Sequence, residues 1–422
     1  MIKMIEFGKT EKEKIFSRKS PFSDVENAVA DIIADVRKNG DKALIKYCEK
    51  FDGGFSGLKV SEKEIETAFK ETDAELIRIL RRSAKNITAF HEKQVREGFE
   101  FINPDGATVG QKITPIERVG VYVPGGTAAY PSTVLMDVIP AKIAGVKKIV
   151  MVTPAKNGVV APVILAAAKI AGVDEIYKIG GAQAIAALTF GTETVPKVDK
   201  IVGPGNAYVA EAKKQVFGKV AIDTIAGPSE ILVIADGKSD PEYIAADLLS
   251  QAEHDKLASA VLITDDKTLA VRVSEEIERQ IEKLPRKEIA RASIDANGKI
   301  IVAADLTQAI EISDEIAPEH LELCVDEPFE LLKKVHNAGS VFLGRFTPEA
   351  LGDYIAGPNH TLPTSGAAKF SSPLSVDDFI KKTQYVFYDE KSENEVAGDV
   401  AKFAESEGLT AHAFSATVRR KK

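Results

Sequence analysis

The 422-residue chain is 44% hydrophobic and 28% charged, which excludes a disordered or fibrous polypeptide and suits a soluble globular protein of roughly two to four domains. Its 63 acidic and 55 basic residues give a net charge of −8 without a long basic run, so nucleic acid is not expected as a partner. Cys48 and Cys324, far apart and outside any CxxC, exclude a disulfide framework or thiolate zinc site and fit a reducing cytoplasm.

The chain begins "MIKMIEFGKTEKEKIF", which lacks the apolar stretch of a signal peptide, and no later window is apolar enough to span a bilayer. A cytoplasmic location without membrane contact is the expectation. From about 22 to 100 the pattern is helical and charged, as in "VENAVADIIADVRKNGDKALIKYCEKF", with apolar residues recurring at three and four. Short β-branched runs follow, each with a turn and then an Ala- or Leu-rich stretch: "RVGVYVPGG", "KKIVMVTPA", "EIYKIGGAQ", "DKIVGPGNA", "EILVIADG", "ASAVLITDD", "KIIVAADL" and "GSVFLG". This alternation predicts an α/β fold with parallel sheets. The first four runs lie between 118 and 206 and a new series begins near 230, so two sheets are expected, divided close to 227. Beyond "LGDYIAGPNHTLPT" the alternation stops, and a polar, partly helical tail runs to the end.

No GxGxxG follows a strand, so a phosphate-bearing ligand would need another site. Three glycine-containing loops at strand C-terminal ends could supply it: "YVPGGTAAYPS", with Ser132 as a candidate N-cap, "IGGAQA" and "VGPGNAY". Each alone reads as a turn. Three at one sheet edge point to a ligand, because ligands of open α/β sheets gather there.

Of six histidines, four lie in the later region: His254 in "QAEHD", His320 in "APEHLEL", His360 in "GPNHTLP" and His412 in "LTAHAF". His91 and His336, set among charges in helical patterns, read most simply as surface residues. The helix of "DLLSQAEHD" is well specified: Asp240 can cap it, Pro241 suits its first turn, and Ile244, Leu248 and Leu249 form an apolar face. Gln251 and His254 share one side at i, i+3, where they could converge on an ion, although a packing role is the simpler reading of either alone. Pro318 breaks the pattern before Glu319 and His320, placing them in a loop or at a helix start, and side by side they could activate water and accept a proton. Asp353 in "LGDYIAG" reads as a turn residue, and as an oxygen ligand if it faces the cluster.

Together, "RVGVYVPGGTAAYPSTVLMDVIPAKIAGV", "GGAQAIAAL", "GPGNAYVAEAKK", "IAGPSEILVIAD", "DLLSQAEHD", "APEHLEL", "AGPNHTLPT" and "EGLTAH" closely resemble the histidinol dehydrogenase family, in order along nearly the whole chain. The resemblance implies two incomplete Rossmann-like domains with parallel sheets, one inserted in the other, plus small helical N- and C-terminal elements. It divides the chain into an N-terminal element (1–20), a first α/β domain (21–121 and 228–375), an inserted NAD-binding domain (122–227) and a small C-terminal domain (376–422).

The same resemblance implies zinc held by Gln251, His254, Asp353 and His412, with Glu319 and His320 as the catalytic pair. Ser229, His360 and Glu407 match positions around the substrate, and Tyr122, Gln183 and Asn206 match NAD contacts. The implied activity is four-electron oxidation of L-histidinol to L-histidine through L-histidinal, in two NAD-dependent steps that end histidine biosynthesis. A homodimer is implied as well, the terminal segment reaching the other subunit's site. Alternatives are a paralogue acting on another small alcohol such as a hydroxysulfonate, against which His360 and Glu407 argue, and a zinc hydrolase, which would leave the NAD-matching loops without a purpose. A non-catalytic scaffold would need neither the Glu-His pair nor the metal set.

Overall fold

The computed structural model describes residues 1–8, 25–125 and 129–420. Most of the expected N-terminal element and the centre of the first glycine loop therefore lie outside the described residues. In chain order the strands begin with β1 (Lys3–Glu6), β2 (Phe99–Ile102) and β3 (Thr108–Pro115). Next come β4 (Arg118–Tyr122), β5 (Lys148–Val152), β6 (Glu175–Tyr177), β7 (Lys200–Val202) and β8 (Ala221–Ile222), all parallel in the order β6-β5-β4-β7-β8. The chain then forms β9 (Glu230–Ala235), β10 (Ser259–Thr264), β11 (Lys299–Val302), β12 (His320–Cys324) and β13 (Ser340–Leu343). These join β1 in a second parallel sheet, ordered β1-β11-β10-β9-β12-β13.

Both sheets start in the middle, run outward to one edge, and return to add strands on the other side. That reversal opens a crevice at a topological switch point, between β4 and β7 in the first sheet. A last strand, β14 (Ile380–Phe387), pairs antiparallel with β3, which also pairs with β2, giving a small third sheet that the strand pattern did not announce. The terminal helices Glu390–Ser406 and Thr410–Thr417 follow it.

Strands covered by helices on both faces can be apolar at every position, and β9 "EILVIA" is buried throughout. Each Ile, Leu or Val so buried stabilises the fold by about 1.5–3 kcal/mol. The helices Glu26–Asn39 and Asp41–Phe51 cover one face of the five-stranded sheet through Val29, Val36, Leu44 and Tyr47. Glu62–Glu71 and Ala74–His91 cover the other through Ala68, Leu80 and Ile87. The helical region 26–91 was expected in one domain with 228–375; it packs instead on the five-stranded sheet, where its apolar stripes meet the β4 and β5 faces. β1 closes the edge of the six-stranded sheet, so the N-terminal element contributes a strand and the 118–222 segment interrupts the second sheet's chain path.

Candidate active site

The glycine loops leave the C-terminal edge of the five-stranded sheet. Tyr122, the last residue of β4, is buried, and its hydroxyl accepts from the Gly181 N–H at 3.0 Å. Burial pushes that phenol up to about 12. Gln183 is buried in the helix Gly181–Phe190. Asn206 is exposed, and its side chain caps the helix Ala207–Val216 by accepting from the N–H groups of Tyr208 and Val209. Gly203, at φ +110°, lets the β7 loop press against the end of β4: a Cβ there would lie 2.1 Å from the Tyr122 carbonyl oxygen. Lys213 donates to the Gly203 carbonyl at 3.0 Å and pairs with Asp223, which accepts from the Gly203 N–H at 2.8 Å. Ser132 does not cap its helix. Helix Pro131–Ile143 starts with Pro131 after Tyr130 and has no side-chain cap, since Ser132 already lies inside the first turn.

A second group of residues collects at the N-terminal edge of the six-stranded sheet. Glu319 and His320 were expected in a loop or at a helix start. Glu319 does lie in a short loop, after Ala317 ends the preceding helix in a left-handed conformation, but His320 opens β12, opposite Ile231 and Ser340. The first residue of β9 holds both: the Glu230 N–H donates to Glu319 Oε2 at 2.8 Å, and the Glu230 carbonyl lies 2.9 Å from His320 Nδ1. A carbonyl can only accept, so Nδ1 carries the ring proton and Nε2 keeps its lone pair. Nε2 is buried without a hydrogen-bond partner and faces Glu349 at 3.8 Å and Asp353 at 3.9 Å. Burial pushes the His320 imidazole down to about 4, so it is neutral near pH 7, and raises the Glu319 carboxyl well above its ordinary value, which makes its carboxylate a stronger base.

Gln251 lies in the last turn of helix Pro241–Ala252, which Asp240 caps as expected. Its Nε2 is 3.1 Å from His320 Nδ1, and its Oε1 is buried with no hydrogen-bond partner. His254 is not on that helix but in the turn after it, where its N–H donates to the Gln251 carbonyl at 3.1 Å. Asp353 sits in a π-helical turn, Gly352–Ala356, a widened geometry frequent at functional sites. The Ser132 main chain adjoins the His360 ring, whose Nε2 is also buried and without a hydrogen-bond partner among the described residues. His254 and His360 lie close enough to His320 to disfavour its protonation, so the three imidazoles belong to one neighbourhood. Ser229 is half-buried just before β9. Glu407 and His412 are exposed on the terminal helical segment, and among the described residues no hydrogen bond or ion pair joins them to this cluster.

The ligand atoms of His320, Glu349 and Asp353 lie within 4.8 Å of one another, a second arrangement that could hold a cation. It shares only Asp353 with the expected set. Glu349 escaped notice because an acid after Pro348 reads as an ordinary first-turn residue. Burial, with the adjacent Asp353 carboxylate adding to it, raises the Glu349 carboxyl above its ordinary value. Glu322, buried within β12 and contacting Asp247, was legible as an acid between leucines in "HLELC". His91 is fully buried, contrary to its surface reading. Its Nδ1 lies 2.9 Å from the Ile87 carbonyl, and Asn359 meets its Nε2 at 3.3 Å. His336 is exposed beside Asp314, as expected. Both cysteines are buried free thiols; burial pushes Cys48 up to about 12 and Cys324 higher still, so neither is a ready nucleophile.

Residues 16–420 match the family model described as histidinol dehydrogenase. A histidinol dehydrogenase of Geobacter metallireducens is 54% identical over 402 residues, covering 94% of this chain and 92% of the relative. One of Clostridium acetobutylicum is 53% identical over 428 residues, covering 100% and 99%. The crystal structure of histidinol dehydrogenase from Elizabethkingia anophelis superposes with a TM-score of 0.94 at 40% identity, covering 99% of this chain and 98% of that one.

Proposed function

This chain belongs to the histidinol dehydrogenase family, and from that premise we propose that it oxidises L-histidinol to L-histidine through L-histidinal, with zinc and NAD as cofactors. The observation that carries this reading is a set of three buried polar atoms without hydrogen-bond partners among the described residues: His320 Nε2, which faces Asp353, and Gln251 Oε1 and His360 Nε2 on residues neighbouring His320. Buried polar atoms are rarely left without partners, so a neighbourhood with three is suited to a polar ligand and a cation.

Gln251, His254 and Asp353 would hold zinc, with His412 of the partner subunit as the fourth ligand. This mixed nitrogen and oxygen donor set fits zinc. Bound there, zinc would supply Lewis-acid polarisation and orientation of histidinol, with no redox role. Tyr122, Gln183 and Asn206 would hold NAD at the glycine loops, where it would supply the hydride acceptor for both oxidations.

The chain's own residues do the rest. His320 Nε2, kept unprotonated by the Nδ1 contact to Glu230, takes the alcohol proton in the first oxidation and the hydrate proton in the second. Glu319, anchored through Oε2, takes through Oε1 a proton from the water that adds to the aldehyde, while the imidazolium of His320 formed in the first oxidation gives its proton to the aldehyde oxygen, so the hydrate forms and His320 is again a base for the second oxidation. His360, with Nε2 free, and Ser229 bind the substrate's polar groups, with Glu407 as a further contact.

The exposed positions of Glu407 and His412 suit a homodimer in which each tail completes the other site. Exposed Phe403 and Phe414 on the same helices offer apolar surface for such an assembly. No helix among the described residues is long and apolar enough to cross a membrane, and with two free buried thiols we place the protein in the cytoplasm. The test is turnover of purified, zinc-loaded protein with NAD and a panel of small alcohols. Histidinol should be strongly preferred; preference for a hydroxysulfonate would select a different substrate, and no turnover of any alcohol would overturn the dehydrogenase reading.

A further inference from the structure

The residues on either side of His360 are tied to one helix of the five-stranded unit. Asn359 Nδ2 donates to the Met136 carbonyl at 2.7 Å, and the Thr361 hydroxyl donates to Asp137 Oδ1 at 2.7 Å. His360 itself meets the main chain of Ser132, one turn earlier on the same helix. Asn359, Thr361 and Asp137 are all buried, Asp137 completely. The other oxygen of Asp137 faces the β7 loop, where a Cβ on Gly203 would lie 3.0 Å from it. The same segment continues to the six-stranded unit: Thr364 Oγ1 accepts from the Gly227 N–H at 2.6 Å, and Glu230 Oε2 accepts from the Ser365 N–H at 3.2 Å.

We propose that Thr361 and Asp137 are positioning residues, whose hydrogen bond fixes the His360 imidazole against the cofactor-binding unit and so sets the substrate subsite relative to the hydride acceptor. This rests on the reading of His360 as a substrate contact. Among the described residues Nε2 of His360 has no hydrogen-bond partner, and both the residues flanking His360 and the main chain that adjoins its ring belong to or are tied to the helix Pro131–Ile143, so the aim of the imidazole depends on how this segment sits on that helix. A valine at 361 keeps the shape but removes the donor, leaving a buried carboxyl oxygen without a partner. Residue 361 would keep its main-chain bonds, its N–H to Asn359 Oδ1 at 2.8 Å and its carbonyl accepting from the Leu374 N–H at 2.9 Å, but the carbonyl side of His360 would lose its direct tie to the helix Pro131–Ile143.

The test is steady-state kinetics of the zinc-loaded enzyme carrying Thr361→Val, Thr361→Ser, His360→Asn and the Thr361→Val/His360→Asn pair. Thr361→Val should raise KM for histidinol about tenfold while kcat and KM for NAD change less than about threefold. Thr361→Ser, which keeps the hydroxyl, should restore the wild-type KM. In the His360→Asn background Thr361→Val should add nothing, because both act through one imidazole. Should valine prevent folding, Thr361→Ala removes the same donor with less bulk and is read the same way. Full additivity of the two changes, an unchanged KM in Thr361→Val, or failure of serine to rescue would overturn the positioning role. If His360→Asn itself leaves KM unchanged, the substrate-contact reading falls first; if only that variant raises KM, that reading stands and the positioning role alone is lost.

Discussion

Replacing His320 with Asn separates catalysis from metal binding. The imidazole Nε2 faces Glu349 and Asp353, and it is held unprotonated by the 2.9 Å contact between Nδ1 and the Glu230 carbonyl. An Asn amide can still donate to that carbonyl, so β12 and β9 should stay in register, but nothing replaces Nε2. Loss of a positioned general base costs about 10²–10⁴-fold in rate. That corresponds to about 2.7–5.4 kcal/mol of transition-state stabilisation. Purified variant and parent would be compared by NADH absorbance at saturating histidinol and by elemental analysis for zinc. The variant should lose at least about a hundredfold in kcat yet keep the parent's zinc content, whereas Gln251→Ala should lose zinc. If His320→Asn loses zinc in step with activity while Gln251→Ala retains it, the ion is held by His320, Glu349 and Asp353 and the role assignment is refuted.

Three further outcomes follow from the geometry. Burial, with Asp223 adding to it against the Thr361 hydrogen bond, pushes Asp137 up to about 8 from an ordinary 3.8. The folded chain therefore keeps a proton that the unfolded chain releases; this contribution is complete below the unfolded value and is lost as pH rises through the folded one, at about 1.4 kcal/mol per pH unit between them. Urea unfolding of Asp137→Asn across that window should show a flatter decline than the parent, and parallel declines would contradict it. Gly203→Ala combines φ +110° with a Cβ 2.1 Å from the Tyr122 carbonyl oxygen, so thermal unfolding should report a loss of at least about 1–3 kcal/mol together with weaker NAD binding; a neutral result would refute the close approach. Mixing inactive His320→Asn with inactive His412→Ala subunits should restore activity, because one site of the hybrid dimer then has an intact body and an intact tail, whereas sites built within single chains would stay dead.

Much of the scaffold was legible from the chain. The eight β-branched runs correspond to β4, β5, β6, β7, β9, β10, β11 and β13, because strands buried on both faces need unbroken apolar stretches. β12 was hidden by its own chemistry: His320 and Glu322 interrupt its apolar pattern, and Pro318 imitates a helix start. β2 and β14 are largely exposed, β3 is mostly half-buried, and β14 pairs with β3 over a long sequence separation, so neither periodicity nor burial marks this sheet. At the candidate site, Gln251, His254, Glu319, His320, Asp353 and His360 were picked out from residue types and motifs. Their shared neighbourhood was not, since it depends on how the β9, β12 and β13 edge meets the loops. His91 shows the converse error: charged neighbours suggested surface, but its helix turns that side chain toward Asn359.

The stoichiometry of cofactor reduction bears most directly on the proposed reaction. With zinc-loaded protein, excess NAD and a limiting amount of L-histidinol, absorbance should report two NADH for each molecule consumed, and chromatography should find L-histidine with no free aldehyde accumulating. One NADH per histidinol with histidinal released, or two NADH with a product other than histidine, would contradict the account.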